Sequence, residues 1–106
     1  MGLAEQRCTA CEGGAEPLDR EQAAALACEV PAWTLKADAI ERAFKFADFR
    51  AAMAFVNQVA GLAEEQGHHP DIHISYNKVR LELSTHKIGG LSTNDFILAA
   101  KIDRLA

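Results

Sequence analysis

No run of about 18 apolar residues occurs in this chain, so nothing in it reads as a membrane-spanning helix. Basic residues are not in excess: 11 Lys and Arg stand against 15 Asp and Glu, a net charge of −4. That balance argues against nucleic acid as a partner, because a nucleic-acid surface is normally basic. Cysteine is scarce and odd in number, at 3, so no disulfide framework is expected. Cys8-Thr9-Ala10-Cys11 has the spacing of a metal or redox pair. However, a structural zinc site wants four ligands, and no second CxxC follows. Nor does a strand pattern precede it, as a thioredoxin-like motif requires. The N-terminus lacks a charged-then-apolar leader, so a cytoplasmic location is expected. Internal repeats and low-complexity segments are absent.

What is present is an ordinary globular composition: 106 residues, 49% hydrophobic and 25% charged, enough for one domain. A chain this short buries a modest core, so association with a second copy would help it. Residues 1–17, with Gly13-Gly14 and Pro17, read as an irregular, loosely packed arm, and deleting residues 1–16 should leave folding and turnover nearly intact. Residues 18–106 read as the domain. An alanine-rich run from about Leu18 to Glu29 favours a short helix, with Asp19 as a cap and Pro31 after its end. Trp33 and Leu35 alternate with Thr34 and Lys36 as a first strand. Ile40, Phe44 and Phe46 alternate with polar neighbours as a second. Arg42 shares the apolar parity of that strand, which suits a snorkelling edge residue or a charge near a site. Asp48 starts the longest helix, whose apolar stripe is Phe49, Ala52, Met53, Val56, Ala60 and Ala63. Glu64 and Glu65 at its end oppose the helix dipole and read as solvated charge, with tuning of His68 as the alternative.

The stretch from Gly67 to Asp95 carries the chemistry, because it holds all 4 histidines. Gly67 is placed to end the long helix in a left-handed conformation. Pro70 holds His69 extended, so His68 and His69 point to opposite sides. Ile72, Ile74 and Tyr76 alternate with His73, Ser75 and Asn77. Val79, Leu81 and Leu83 alternate with Arg80, Glu82 and Ser84. This predicts an antiparallel hairpin broken near Tyr76-Asn77-Lys78. A hairpin brings its outer ends together, so His68 and His69 should meet His86. Gly89-Gly90 is a turn, with an anion nest as the weaker reading. Ser92 and Asp95 form a capping box for a last helix from Thr93 towards Leu105, with Leu91 stapling onto Phe96. Phe96, Ile97, Ala100 and Leu105 are available to pack it. Asp95 thus reads first as a cap and second as a site acid. The element order is α-β-β-α-β-β-α. It implies an α+β fold, a four-stranded antiparallel sheet with helices packed on one face.

HHPD at 68–71, the tyrosine at 76, Asn77-Lys78-Val79, Ser84-Thr85-His86, Gly89-Gly90-Leu91-Ser92, Asp95 and Leu98-Ala99 together resemble the pterin-4a-carbinolamine dehydratase family. Arg42-Ala43-Phe44-Lys45-Phe46 with Asp48-Phe49 agrees. The resemblance covers about residues 30–106, in order, and leaves the arm outside. It implies an enzyme, 4a-hydroxytetrahydrobiopterin dehydratase. Such an enzyme removes water from 4a-hydroxytetrahydropterin to give quinonoid dihydropterin, recycling tetrahydropterin for an aromatic amino acid hydroxylase. It implies His68, His69 and His86 as active-site histidines, Asp95 and His69 as substrate-binding residues, and a homodimer or homotetramer.

Elimination needs a proton delivered to the leaving hydroxyl and a proton taken from nitrogen. Histidine suits both tasks, with an ordinary pKa near 6.5. His68 and His86 are the expected proton-transfer pair, and His69 is expected to hold the pterin. The chemistry calls for no metal and no cofactor. Two other classes remain on the sequence. One is a non-catalytic dimerisation module or transcriptional coactivator of the same fold. The other is a histidine metal site, disfavoured by the lack of a helical HxxxH.

Overall fold

The computed structural model describes residues 2–8 and 16–106. Its elements begin and end where capping residues stand. Helix α1, Arg20–Ala27, is opened by a reciprocal capping box between Asp19 and Gln22. Helix α2, Phe49–Gln66, is opened by Asp48, whose carboxylate accepts the Ala51 amide at 2.8 Å. It ends at Gly67, with φ +64°, a conformation that costs glycine little. Two bonds close that end: Gly67 N–H to Glu64 at 3.4 Å and His68 N–H to Ala63 at 3.2 Å. This Schellman arrangement sets the direction in which His68 leaves the helix. Helix α3, Thr93–Leu105, opens with the Ser92–Asp95 box.

The strands are β1 Thr34–Leu35, β2 Ile40–Lys45, β3 Asp71–Ser75 and β4 Lys78–Leu83. They form one antiparallel sheet in the order β1-β2-β4-β3. The expected α+β architecture is therefore present, helix and strand in the anticipated order. Register puts Ile40, Arg42 and Phe44 beside Leu83, Leu81 and Val79, with Ile72 and Ile74 continuing the row on β3. The buried members of that face meet Phe55, Val56 and Val59 of α2 and Phe96, Leu98 and Ile102 of α3 in one core.

The stripe on α2 is turned from the one read in the sequence. The buried positions are Ala52, Phe55, Val56, Val59, Ala63 and Gln66, while Phe49 is half exposed and Ala60 is exposed. Phe55 decides the rotation. Its ring packs 4.7 Å from Phe44 and 5.1 Å from Phe46, an aromatic cluster that Phe49, in the first turn, does not join. Leu105, expected to pack, is likewise exposed at the end of α3.

Arg42 does not line the histidine cleft, and it stands just past the two-residue pairing of β2 with β1. It lies on an interior strand, its guanidinium 4.4 Å over the Phe44 ring and paired with Asp103 of α3. Trp33 Nε1–H donates to the same carboxylate at 2.8 Å. The charge is tolerated on the apolar face because its partner descends from the covering helix.

The expectation of a loose arm is corrected for residues 2–8. Leu3 opens a 3₁₀ turn, Leu3–Glu5, and is 5% exposed within the main core. Lys101 Nζ donates to the Ala4 carbonyl at 2.8 Å, and Arg104 pairs with Glu5. The Arg104 guanidinium, by its hydrogen bond and then its charge, holds the Glu5 carboxyl below the usual carboxylate range. One buried leucine and two basic side chains of α3 are what the sequence pattern of the arm alone does not show. Cys11 lies outside the described residues, so the Cys8–Cys11 spacing is untouched by this correction. Leu3→Ala is expected to cost about 2–5 kcal/mol, as for other buried leucines. Thermal unfolding checks it, and an unchanged Tm would restore the loose arm.

Candidate active site

The end of α2 and the start of α3 lie on either side of the strand β4 exit, and that is where the histidines gather. Gly67, His68, His69, Ser84, Thr85, His86, Lys87 and Asn94 line one open cleft of about 210 Å³. The three histidines that the hairpin was expected to collect thus line one cleft. The cleft is smaller than the roughly 300 Å³ at which enclosed ligand pockets begin. It would grip one end of a ligand rather than swallow it.

The three rings differ in how they are held. His68 is the constrained one, its side chain 11% exposed, with Nε2 2.6 Å from Asp95 Oδ1. Asp95 is wholly buried. Its other oxygen, Oδ2, accepts the Ser92 amide at 2.9 Å and the Thr85 hydroxyl at 2.9 Å. A second contact ties Thr85 Oγ1 to Ser92 Oγ at 2.7 Å. The cap and the site acid were alternatives in the sequence, but one carboxylate serves both, with one oxygen for each task. A carboxylate can only accept, so Nε2 of His68 carries the proton between them and Nδ1 is the nitrogen left for other partners.

His69 turns the opposite way, as extended neighbours must. Its side chain is 60% exposed and Nε2 meets Glu64 Oε2. The carboxylate at the end of α2 therefore acts on His69 and not on His68. His86 starts a 3₁₀ turn, His86–Ile88, that Gly89 closes with φ +67°. Its side chain is 77% exposed, and Asp71 Oδ2 is 3.9 Å from Nε2. Each site histidine thus has its own carboxylate. His73 stands apart, on the polar face of β3 opposite Arg80.

The Gly89-Gly90 turn is a turn. Thr85 N–H donates to the Gly90 carbonyl at 2.7 Å, which bends the chain back towards α3. A Cβ on Gly90 would stand 2.8 Å from the Pro17 side chain, so only glycine fits there. His86 is also a partition, because Ser84, Thr85 and His86 line a second recess of about 280 Å³ with Asp38, Asp71 and Glu82. A larger recess of about 380 Å³ lies between α1 and Leu91, but it holds no histidine. Its Asp19 is committed to the cap of α1 and its Lys36 to Glu41. Among these recesses the smaller cleft is the one that all three histidines line. Among the described residues no three His, Cys, Asp or Glu side chains gather as a metal site.

Asp95 has no exposed surface and is not among the residues that line the cleft; it meets the cleft through its bond to His68. Thr85 was missed. It continues the inward parity of Val79, Leu81 and Leu83, and a polar residue at that position was the available signal.

The family model described as pterin 4 alpha carbinolamine dehydratase matches residues 16–105. A provisionally named pterin-4-alpha-carbinolamine dehydratase of Halorhodospira halophila is 49% identical, over 99% of this chain and 98% of its own. The chain belongs to the pterin-4a-carbinolamine dehydratase family. A similarly named protein of Methylococcus capsulatus is 48% identical over 98% of this chain and 93% of its own. These dehydratase relatives run the length of the chain, so the likeness reaches into the arm that the sequence motifs left out. The crystal structure of a transcriptional coactivator/pterin dehydratase from Brucella melitensis superposes with a TM-score of 0.79. It is 32% identical and covers 86% of this chain and 99% of its own. A pterin dehydratase-like protein identified as a RuBisCO assembly factor of the alpha-carboxysome superposes at 0.58. It is 27% identical over 70% of this chain and 86% of its own. The family fold therefore also appears in proteins with other named roles.

Proposed function

We propose that this chain dehydrates 4a-hydroxytetrahydropterin to quinonoid dihydropterin, in tetrahydropterin recycling for an aromatic amino acid hydroxylase. The observation that carries the reading is the His68–Asp95 bond beside His69 and His86 in one cleft. The substrate bears a hydroxyl on C4a and a hydrogen on N5. Departure of the hydroxyl as water requires one proton, and loss of the N5 proton returns the electrons that form the new double bond. His68 and His86 are the proton-transfer pair. A buried carboxylate stabilises positive charge on His68 as it gains a proton, in the manner of other Asp–His couples. His86 faces solvent, where it can exchange protons between turnovers. His69, the outward ring of the HHP motif, holds the pterin. No metal or organic cofactor takes part.

The test is rapid mixing of the protein with freshly generated 4a-hydroxytetrahydropterin, following quinonoid dihydropterin formation. Acceleration above the spontaneous rate is expected. No acceleration would leave the alternative, a non-catalytic binding module or coactivator of this fold; a neighbour of the fold is described as a RuBisCO assembly factor.

The same reading includes a cytoplasmic homodimer or homotetramer. None of the helices described is long and apolar enough to cross a membrane. Strand β3 is an edge of the sheet, with Ile74 exposed on it and Tyr76 exposed in the turn that follows, and an unpaired edge invites pairing with a second copy. Light scattering at micromolar concentration should show a dimer or tetramer, and a monomer alone would refute the assembly.

A further inference from the structure

The His68–Asp95 bond spans two separate chain segments, the end of α2 and the start of α3. A third segment joins those two from outside the cleft. Cys8 N–H donates to Gln66 Oε1 at 2.9 Å, and Cys8 Sγ–H donates to the Asn94 carbonyl at 3.6 Å. Gln66 lies two positions before His68, and Asn94 one before Asp95. Gln66 and Asn94 are both buried, at 8% and 5% exposure. Cys8 is itself held by the docked turn before it, through Leu3 in the core, Lys101 on Ala4 and Arg104 on Glu5. A glutamine as the last residue of a helix would ordinarily point its amide into water. Here it turns inward to accept an amide from a segment 58 positions away.

We infer that Gln66 is a positioning residue, and that the N-terminal segment, through Cys8, sets the spacing of the His68–Asp95 pair. The inference rests on the reading of that pair as acid–base machinery. Gln66 precedes the Schellman turn directly, so any shift of its side chain moves Gly67 and the His68 ring with it. Asp95 cannot follow, because its other oxygen is pinned by Ser92 and Thr85. A misplacement of about 1 Å in such a group can cost about 100-fold in rate.

Gln66→Met keeps the length of the side chain and removes the acceptor, whereas Gln66→Glu keeps an acceptor oxygen. In the full chain, Gln66→Met should lower kcat about tenfold with KM little changed, since the pterin contacts are elsewhere. Gln66→Glu should restore most of the rate. The ring ¹⁵N shifts of His68, which report whether Nε2 is hydrogen-bonded, should move in Gln66→Met while those of His73 stay. Val59→Ala, a core change in the middle of α2, is the comparison for plain destabilisation. It should lower Tm and leave the folded enzyme's kcat and His68 shifts unchanged. Cys8→Pro removes the donor instead of the acceptor and answers the same question if Gln66→Met does not fold. Wild-type kcat and His68 shifts in both Gln66→Met and Cys8→Pro would overturn the inference, as would the same losses in Val59→Ala. If the wild type itself accelerates no dehydration, the proposed function fails, and the ¹⁵N shifts alone then decide whether Gln66 positions His68.

Discussion

Replacing His68 with alanine should slow dehydration by about 10²–10⁴-fold, the usual contribution of a positioned acid–base group. The loss should fall mainly on kcat, because the ring is held by Asp95 through Nε2 and is read here as a proton-transfer group and not a binding one. The protein should remain folded but less stable, since His68 lies outside the hydrophobic core while its loss leaves Asp95 Oδ1 without that partner. His86→Ala should also lower kcat. His69→Ala should mainly raise KM, because that ring is more than half exposed and reaches outward to Glu64. His73→Ala is the internal control and should behave as wild type, as its ring sits on the strand face opposite Arg80. Steady-state kinetics on the folded variants separates these outcomes. If His68, His69 and His86 can be removed together with no loss of rate, the cleft is not where dehydration occurs.

Asp95 is where stability and turnover should part company. Asp95→Ala deletes a helix cap, a cost of about 0.5–2 kcal/mol. It also takes the carboxylate from the His68 ring and leaves the Thr85 hydroxyl with Ser92 Oγ alone, and a buried group left short of a partner costs about 1–3 kcal/mol more. Asp95→Ala should therefore lose stability and rate together. Asp95→Asn is nearly the same shape and can still accept the Ser92 amide through its carbonyl oxygen. Its NH₂ group, however, faces the His68 Nε2–H, donor against donor, and the ring must flip its tautomer or turn away. The expected result is modest destabilisation with kcat down by about 10²–10⁴. Paired melting curves and kinetics check this. A full rate in Asp95→Asn would show that the carboxylate is a cap alone.

Much of this was legible because it is local. Period-two alternation at 72–83 gave the hairpin. Asp19, Asp48 and Ser92 gave three helix starts, and Gly67 gave a helix end, because each satisfies backbone groups within a few residues of itself. The convergence of His68, His69 and His86 followed from topology, since any hairpin joins its outer ends.

What the sequence left open was decided by contacts between segments far apart in the chain. The apolar periodicity of α2 fits more than one rotation, and Phe55 settled it by packing on Phe44 and Phe46 of β2. Arg42 was read as a snorkelling edge residue or a site charge, and its partner, Asp103, lies 61 positions away where no local pattern could name it. The arm carries one leucine in eight residues, too little for a pattern. It docks because Leu3 joins the core, with Lys101 and Arg104 of α3 holding Ala4 and Glu5 beside it. The sequence by itself determined the elements, their order and the histidines that meet. The tertiary structure decided which of the three rings is held by a buried carboxylate, because burial and side-chain geometry depend on neighbours that no local pattern records.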